Sequence, residues 1–187
     1  MTSGLEAFIN RAQDEATTDT QLKHALNGDV VVITYDELFN RTNAGDITNL
    51  FTEAHTNNVV ILYPVQSRLS GHYVALMYYP EDNLISYFDP YGYSIMKAIS
   101  LSHILHEYDK RMRDYLPELL NNFRLGGGRV LVNDREFQKR SDEDLATCGK
   151  HCTARILFRN IKSHDSYFNF LKYKSLTKDE IVSLMFL

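Results

Sequence analysis

The sequence predicts an α+β fold: a sheet built around a β-meander, with helices to either side of it. Two patterns carry that expectation. Three strand-like runs follow one another between residues 59 and 89, and apolar residues recur at three-to-four-residue spacing both before and after them. Size supplies the third observation. A chain of 187 residues, 44 % of them hydrophobic, can bury one real core, so a single domain over 1–187 is the default. Within it, 1–55 reads as an N-terminal helical region, 56–160 as the core and 161–187 as C-terminal helices. Trp is absent, so aromatic packing falls to 12 Tyr and 10 Phe.

Each element has a local reason. Leu5, Phe8, Ile9 and Ala12, then Leu22, Ala25 and Leu26, form two pieces of apolar stripe around a break at 17–20. Asn27-Gly28-Asp29 stops the helix, and 30–33 opens extended structure or a short connector. Short helices are expected at 36–39 and 46–51. Residues 59–63 are continuously apolar, as a buried strand requires. Residues 72–79 give the second strand and 84–89 the third, joined by the turn Pro80-Glu81-Asp82-Asn83. Pro90 blocks further pairing. Leu101, Ile104, Leu105, Tyr108 and Met112 predict helix over 95–120. Gly126-Gly127-Gly128 forms a turn before a fourth strand at 129–133 (a self-processing or self-binding segment is the alternative for 125–129). Residues 136–144 are strongly charged and expected at the surface. Helix follows over 148–160, then a segment at 166–173 and a last helix from Thr177, where Thr177 and Glu180 have capping-box spacing. There is no internal repeat, low-complexity tract or linker long enough to divide the chain.

Composition excludes several classes. A formal net charge of −4 argues against a protein built mainly to bind nucleic acid. The basic cluster Lys110-Arg111-Met112-Arg113 is read first as a solvated helix face. Residues 1–6 show no basic region leading into an apolar run, so no signal peptide is expected, and no apolar run approaches a membrane span. The two cysteines, Cys148 and Cys152, lie one helical turn apart and are poorly placed to bridge. A reducing compartment suits them best.

The chemistry centres on Ala146-Thr147-Cys148-Gly149-Lys150-His151-Cys152. Cys148 ends a polar loop and opens a helical run, where unpaired backbone N–H groups and the helix dipole favour an anion. Gly149, lacking a Cβ, is expected to let a substrate backbone come close. A cysteine nucleophile needs an imidazole, an acid to orient it, and donors for the oxyanion. His72 begins the second strand and Asp89 ends the third, so pairing through the short turn brings them together. Two other readings stand beside this one. Cys148, His151 and Cys152 could serve as metal ligands, although no second ligand cluster accompanies them; and Cys152 is the alternative nucleophile.

At this point the residues resemble a family. Gly71-His72-Tyr73-Val74-Ala75-Leu76, Tyr87-Phe88-Asp89-Pro90-Tyr91-Gly92, Gln138 and Thr147-Cys148-Gly149 resemble, in that order, the signature of the Ulp1/adenain-like cysteine proteases. That family includes SUMO proteases, the adenovirus maturation protease and relatives in poxviruses, asfarviruses, virophages and Polinton elements. The likeness covers about residues 59–158. It implies a mixed central sheet flanked by helices, with the nucleophile at a helix N-terminus. It also implies Cys148 as nucleophile, His72 as general base, Asp89 orienting His72, and Gln138 as an oxyanion donor beside the Cys148 N–H. Tyr73 stands where the family usually has Trp covering the imidazole. Ten positions separate Gln138 from Cys148, against about six or seven in the family, so 139–144 are expected to loop out.

The resemblance implies a cysteine endopeptidase without metal or organic cofactor, working through an acyl-enzyme. The chain is close to a bare catalytic domain, which points to a viral maturation protease acting on capsid or core precursors. Its place would be the virion or the host cytoplasm, without membrane attachment, and with a peptide or DNA activator as a further expectation. The alternatives are a deconjugase of SUMO or ubiquitin-like modifiers and, from a different class, a non-catalytic binding module on the same fold.

Overall fold

The computed structural model describes residues 7, 10–41, 45–67, 70–102, 110–139, 146–172 and 175–186. Residues 10–14 are helical. The elements that follow are α1 (Asp19–Ala25), β1 (Val31–Thr34), α2 (Tyr35–Arg41), α3 (Thr48–Ala54), β2 (Asn58–Ser67), β3 (Ser70–Tyr79) and β4 (Leu84–Phe88). After them come α4 (Ile95–Ser100), α5 (Lys110–Leu125), β5 (Arg129–Val132), α6 (Cys148–Leu157), α7 (His164–Phe170) and α8 (Lys178–Leu184).

The fold is α+β, with a mixed five-stranded sheet in the order β1-β2-β3-β4-β5. The expected meander is its centre: β2 and β3 pair antiparallel, as do β3 and β4. Its two edges are parallel additions, β1 beside β2 and β4 beside β5. A parallel neighbour needs a crossover rather than a hairpin. Helices α2 and α3 supply one crossover, α4 and α5 the other. Residues 31–34, expected as extended structure or a connector, thus become a sheet strand.

Alternation along β2 divides the core. Val59, Ile61 and Tyr63 pack with Val74, Leu76, Ile85 and Tyr87 under Leu38, Leu50, Phe51, Leu116 and Leu120 of α2, α3 and α5. Val60 and Leu62 face the other way, with Ala75, Met77 and Phe88, under Leu22, Ala154, Ile156, Tyr167 and Val182 of α1, α6, α7 and α8. Helices cover both faces, so β4 is buried at every position, and its polar Ser86 hydroxyl meets His164 Nε2 at 3.1 Å.

The helix expected over 95–120 is interrupted. α4 ends at Ser100 and α5 begins at Lys110; residues 103–109, with Ile104, Leu105 and Tyr108 of the predicted stripe and with His103 and His106, lie outside the described residues. Within α5, Pro117 cannot donate to the Arg113 carbonyl. The Tyr35 hydroxyl fills the gap: it donates to Arg113 O and accepts from Leu116 N–H, each at 3.2 Å. Leu5, Phe8, Ile9 and most of the charged run 136–144 (its residues 140–144) also fall outside the described residues. The three glycines at 126–128 close α5, with their N–H groups bonded back to Asn122, Arg124 and Phe123 carbonyls. Thr177 and Glu180 form the expected capping box on α8.

Candidate active site

The meander builds the first half of the site. Gly71 precedes His72 because the chain passes so close to β2 that a Cβ there would collide with the Tyr63 carbonyl. Asp89 follows β4 and is completely buried. Its N–H donates to Asn133 Oδ1 and its carbonyl accepts from Asn133 Nδ2, both at 2.7 Å. The Asn133 carboxamide thereby adds one more rung to the β4–β5 ladder, which pairs up to Tyr87 and Val132. Asp89 Oδ1 accepts from the Tyr91 N–H at 2.7 Å, an Asx-turn, and Oδ2 faces His72 Nε2 at 3.1 Å. Gly92, at φ +65°, closes the turn against the Arg135 carbonyl, where a side chain would clash.

His72 is 4 % exposed. Burial pulls its pKa down, but the Asp89 carboxylate and, after it, the neighbouring Cys148 sulfur outweigh that and raise it to about 10. With Nε2 turned to Asp89, Nδ1 is the nitrogen left for the sulfur. The ring stacked on His72 is Tyr91, centroids 4.6 Å apart and planes at 22°. This corrects the expectation that Tyr73 would cover the imidazole; the Tyr73 hydroxyl instead donates to Asp19 at 2.9 Å.

The second half begins at α6. Cys148 is its first residue and half-buried. No side chain caps the helix, so its first-turn N–H groups stay directed at the end where Cys148 stands. Thr147, in the cap position, donates its hydroxyl to Asp179 instead. Gly149 departs from its expected role. It is buried, and a Cβ on it would lie 2.8 Å from the Thr17 Cβ, so the missing side chain makes room for Thr17 and not for a substrate. Lys150 Nζ donates to the Ala12 and Glu15 carbonyls, and the Ala146 N–H donates to Gln13 O at 3.1 Å. Residues 12–17 are therefore packed against the segment that leads into Cys148.

Cys152 faces away from the site. It is fully buried in the core, with its thiol donating to Tyr73 O at 3.4 Å, and burial pushes its pKa up. His151 turns to Asp179, Nε2 to Oδ1 at 3.0 Å, so Cys148, His151 and Cys152 aim at three different partners. Gln138 is fully buried, and its N–H donates to Pro90 O at 2.9 Å, which fixes it to the turn that carries Asp89. The structure thus brings His72, Asp89 and Cys148 together and sets Gln138 on their supporting turn. Sequence reasoning passed over Asn133, Tyr91, Lys150 and Asp179. Asn133 had a legible signal as a polar residue directly after a strand beside Asp89, and Tyr91 stands in the Asp89-Pro90-Tyr91-Gly92 turn; Lys150 and Asp179 carry no pattern.

Known proteins add one comparison. The chain is similar to uncharacterized protein V9 of Sputnik virophage, 30 % identical over 118 residues. Those residues cover 62 % of this chain and 65 % of that protein, just under two thirds of its length. The likeness is to a virophage protein. No family model matches the chain. Among the described residues, no helix is long and apolar enough to cross a membrane.

Proposed function

We propose that the chain is a cysteine endopeptidase of the Ulp1/adenain-like type, a maturation protease that cuts capsid or core precursor polypeptides. One observation carries the reading: the buried His72–Asp89 pair at 3.1 Å, with the Cys148 sulfur at the same imidazole. Cysteine, imidazole and carboxylate in that relation are the parts of a thiol nucleophile. The chain order supports the family reading, and the virophage likeness supports its viral branch.

In the reaction, His72 already carries the proton of the Cys148–His72 pair on Nδ1, as its raised pKa requires, and the Cys148 sulfur attacks the scissile carbonyl as thiolate. The carbon becomes tetrahedral and its oxygen takes the negative charge, met by the Gln138 carboxamide and the Cys148 N–H. The carbon–nitrogen bond then breaks, and the amine leaves with the proton from Nδ1. Asp89 holds the ring positively charged until that transfer. Water attacks the thioester with His72 as base, the acid product leaves, and sulfur departs as thiolate beside the reprotonated ring.

The test offers wild type and Cys148→Ala two substrates, a virophage capsid precursor and a ubiquitin-like fusion. Cleavage of the precursor by wild type alone is the expected result. Cleavage of the fusion alone assigns a deconjugase. Full activity in Cys148→Ala removes Cys148 as nucleophile. Silence on both substrates, with a Cys148 that iodoacetamide does not alkylate, favours a binding module on this fold.

A further inference from the structure

Asp179 is the second residue of α8, far from the meander in sequence, and 4 % exposed. Its carboxylate receives three groups. Oδ2 accepts the Lys139 backbone N–H at 3.2 Å; Oδ1 accepts the Thr147 hydroxyl and lies 3.0 Å from His151 Nε2. Lys139 directly follows Gln138, Thr147 directly precedes Cys148, and His151 lies one turn further along α6. One carboxylate therefore ties Lys139, Thr147 and His151 together.

The charge state suits this task. Burial opposes the charge on Asp179, but the hydrogen bonds from His151, Thr147 and Lys139 win and hold its carboxyl below the usual range. Burial lowers the pKa of His151, so its ring is a neutral donor and adds no cation next to the nucleophile helix. A buried carboxylate with three donors is also a stiff joint. Removing one acceptor strands donors that water does not reach.

We propose that Asp179 is a positioning residue that fixes the spacing between the Gln138 arm and the Cys148 helix. The inference rests on the protease reading, in which those two arms supply the oxyanion donors. Asp179 touches neither nucleophile nor imidazole, so its loss should leave the sulfur–imidazole pair intact and spoil the stabilisation of a tetrahedral oxyanion.

Two probes separate these effects. Iodoacetamide alkylation needs only the sulfur and its imidazole; first-turnover release of p-nitrophenol from p-nitrophenyl acetate also needs the oxyanion donors. Asp179→Asn and Thr147→Val should alkylate within about threefold of wild type but acylate about tenfold or more slowly, the loss typical when an oxyanion donor is displaced. Gln138→Ala should show the same split, and Gln138→Ala combined with Asp179→Asn should be no slower than Gln138→Ala alone. Thr147→Val conserves shape, so it decides the matter if Asp179→Asn does not fold. Wild-type acylation in both variants, or an equal loss of alkylation and acylation, overturns the positioning role while leaving the protease reading in place. Wild type that acylates no faster than Cys148→Ala sinks the protease reading, and the role of Asp179 with it.

Discussion

His72 and Asp89 lie on consecutive strands of one meander, whereas Cys148 is held by segments distant in sequence on both sides. The first pair is placed by backbone: the β3–β4 register, the glycine that lets β3 run close against β2, and the Asn133 carboxamide that extends the ladder past Val132. The sulfur is placed by side chains: Lys150 on the carbonyls of residues 12 and 15, and Thr17 in the space left by Gly149. Sheet geometry is set by many repeated bonds and tolerates the loss of one. A helix start pinned by a few polar contacts depends on each of them.

The sharpest break in the comparison is at Gly71. Gly71→Ala pushes a methyl group into the Tyr63 carbonyl, so β2 and β3 must part just where His72 begins. A loss of more than about 4 kcal/mol is expected in urea unfolding, the range reserved for strain and broken core structure. Most such protein should be unfolded at 37 °C. An unchanged unfolding midpoint would show that the meander does not fix His72 through this contact.

What could be read from the sequence follows the same division. The meander, Asp89 beside His72 and the helix opening at Cys148 all rest on neighbours in sequence, where periodicity and turn chemistry speak directly. The fourth strand was legible as β5, but the pairing of edge strands β1 and β5 was harder, because a parallel pairing is fixed by what its crossover helices bury and not by any hairpin signal. Gly149 was misread because the residue that needs its missing Cβ, Thr17, lies more than a hundred positions away. Asp179 and Lys150 were illegible for that reason too. A polar side chain that serves a distant backbone group leaves no pattern around itself. Arg155 makes the same point at the other end of α6: it looks like a surface charge, yet it is buried against the Tyr167 ring at 5.0 Å and donates to the Phe158 and Lys162 carbonyls.

A second prediction titrates the meander half. The pKa of His72 is raised to about 10 in the folded chain, from about 6.5 when unfolded. Its stabilising contribution is therefore complete below about pH 6.5 and disappears as pH rises towards 10. Thermal melts of wild type and His72→Gln across this window should converge, with wild type losing several degrees more. Asp179 and His151 are common to both proteins and cancel in the difference. A gap that stays constant from pH 6.5 to 10 would mean that Asp89 does not hold a proton on the ring.

The smallest expected effect tests the Cys148 half alone. Gly149→Ala brings a methyl group to 2.8 Å from the Thr17 Cβ, and both partners are buried. Overpacking of this size costs about 1–3 kcal/mol. It should also slow alkylation of Cys148, because the strain falls on the first turn of α6. Thr17→Gly removes the colliding atoms at the cost of a freer unfolded chain, about 1 kcal/mol. Combined, the two substitutions should destabilise by at least about 1 kcal/mol less than their sum, and the alkylation rate should recover. Simple additivity would mean that residues 12–17 only lie against the helix. Recovery of both stability and rate would make the segment part of the scaffold that aims the sulfur, despite its lying outside the region that resembles the proteases.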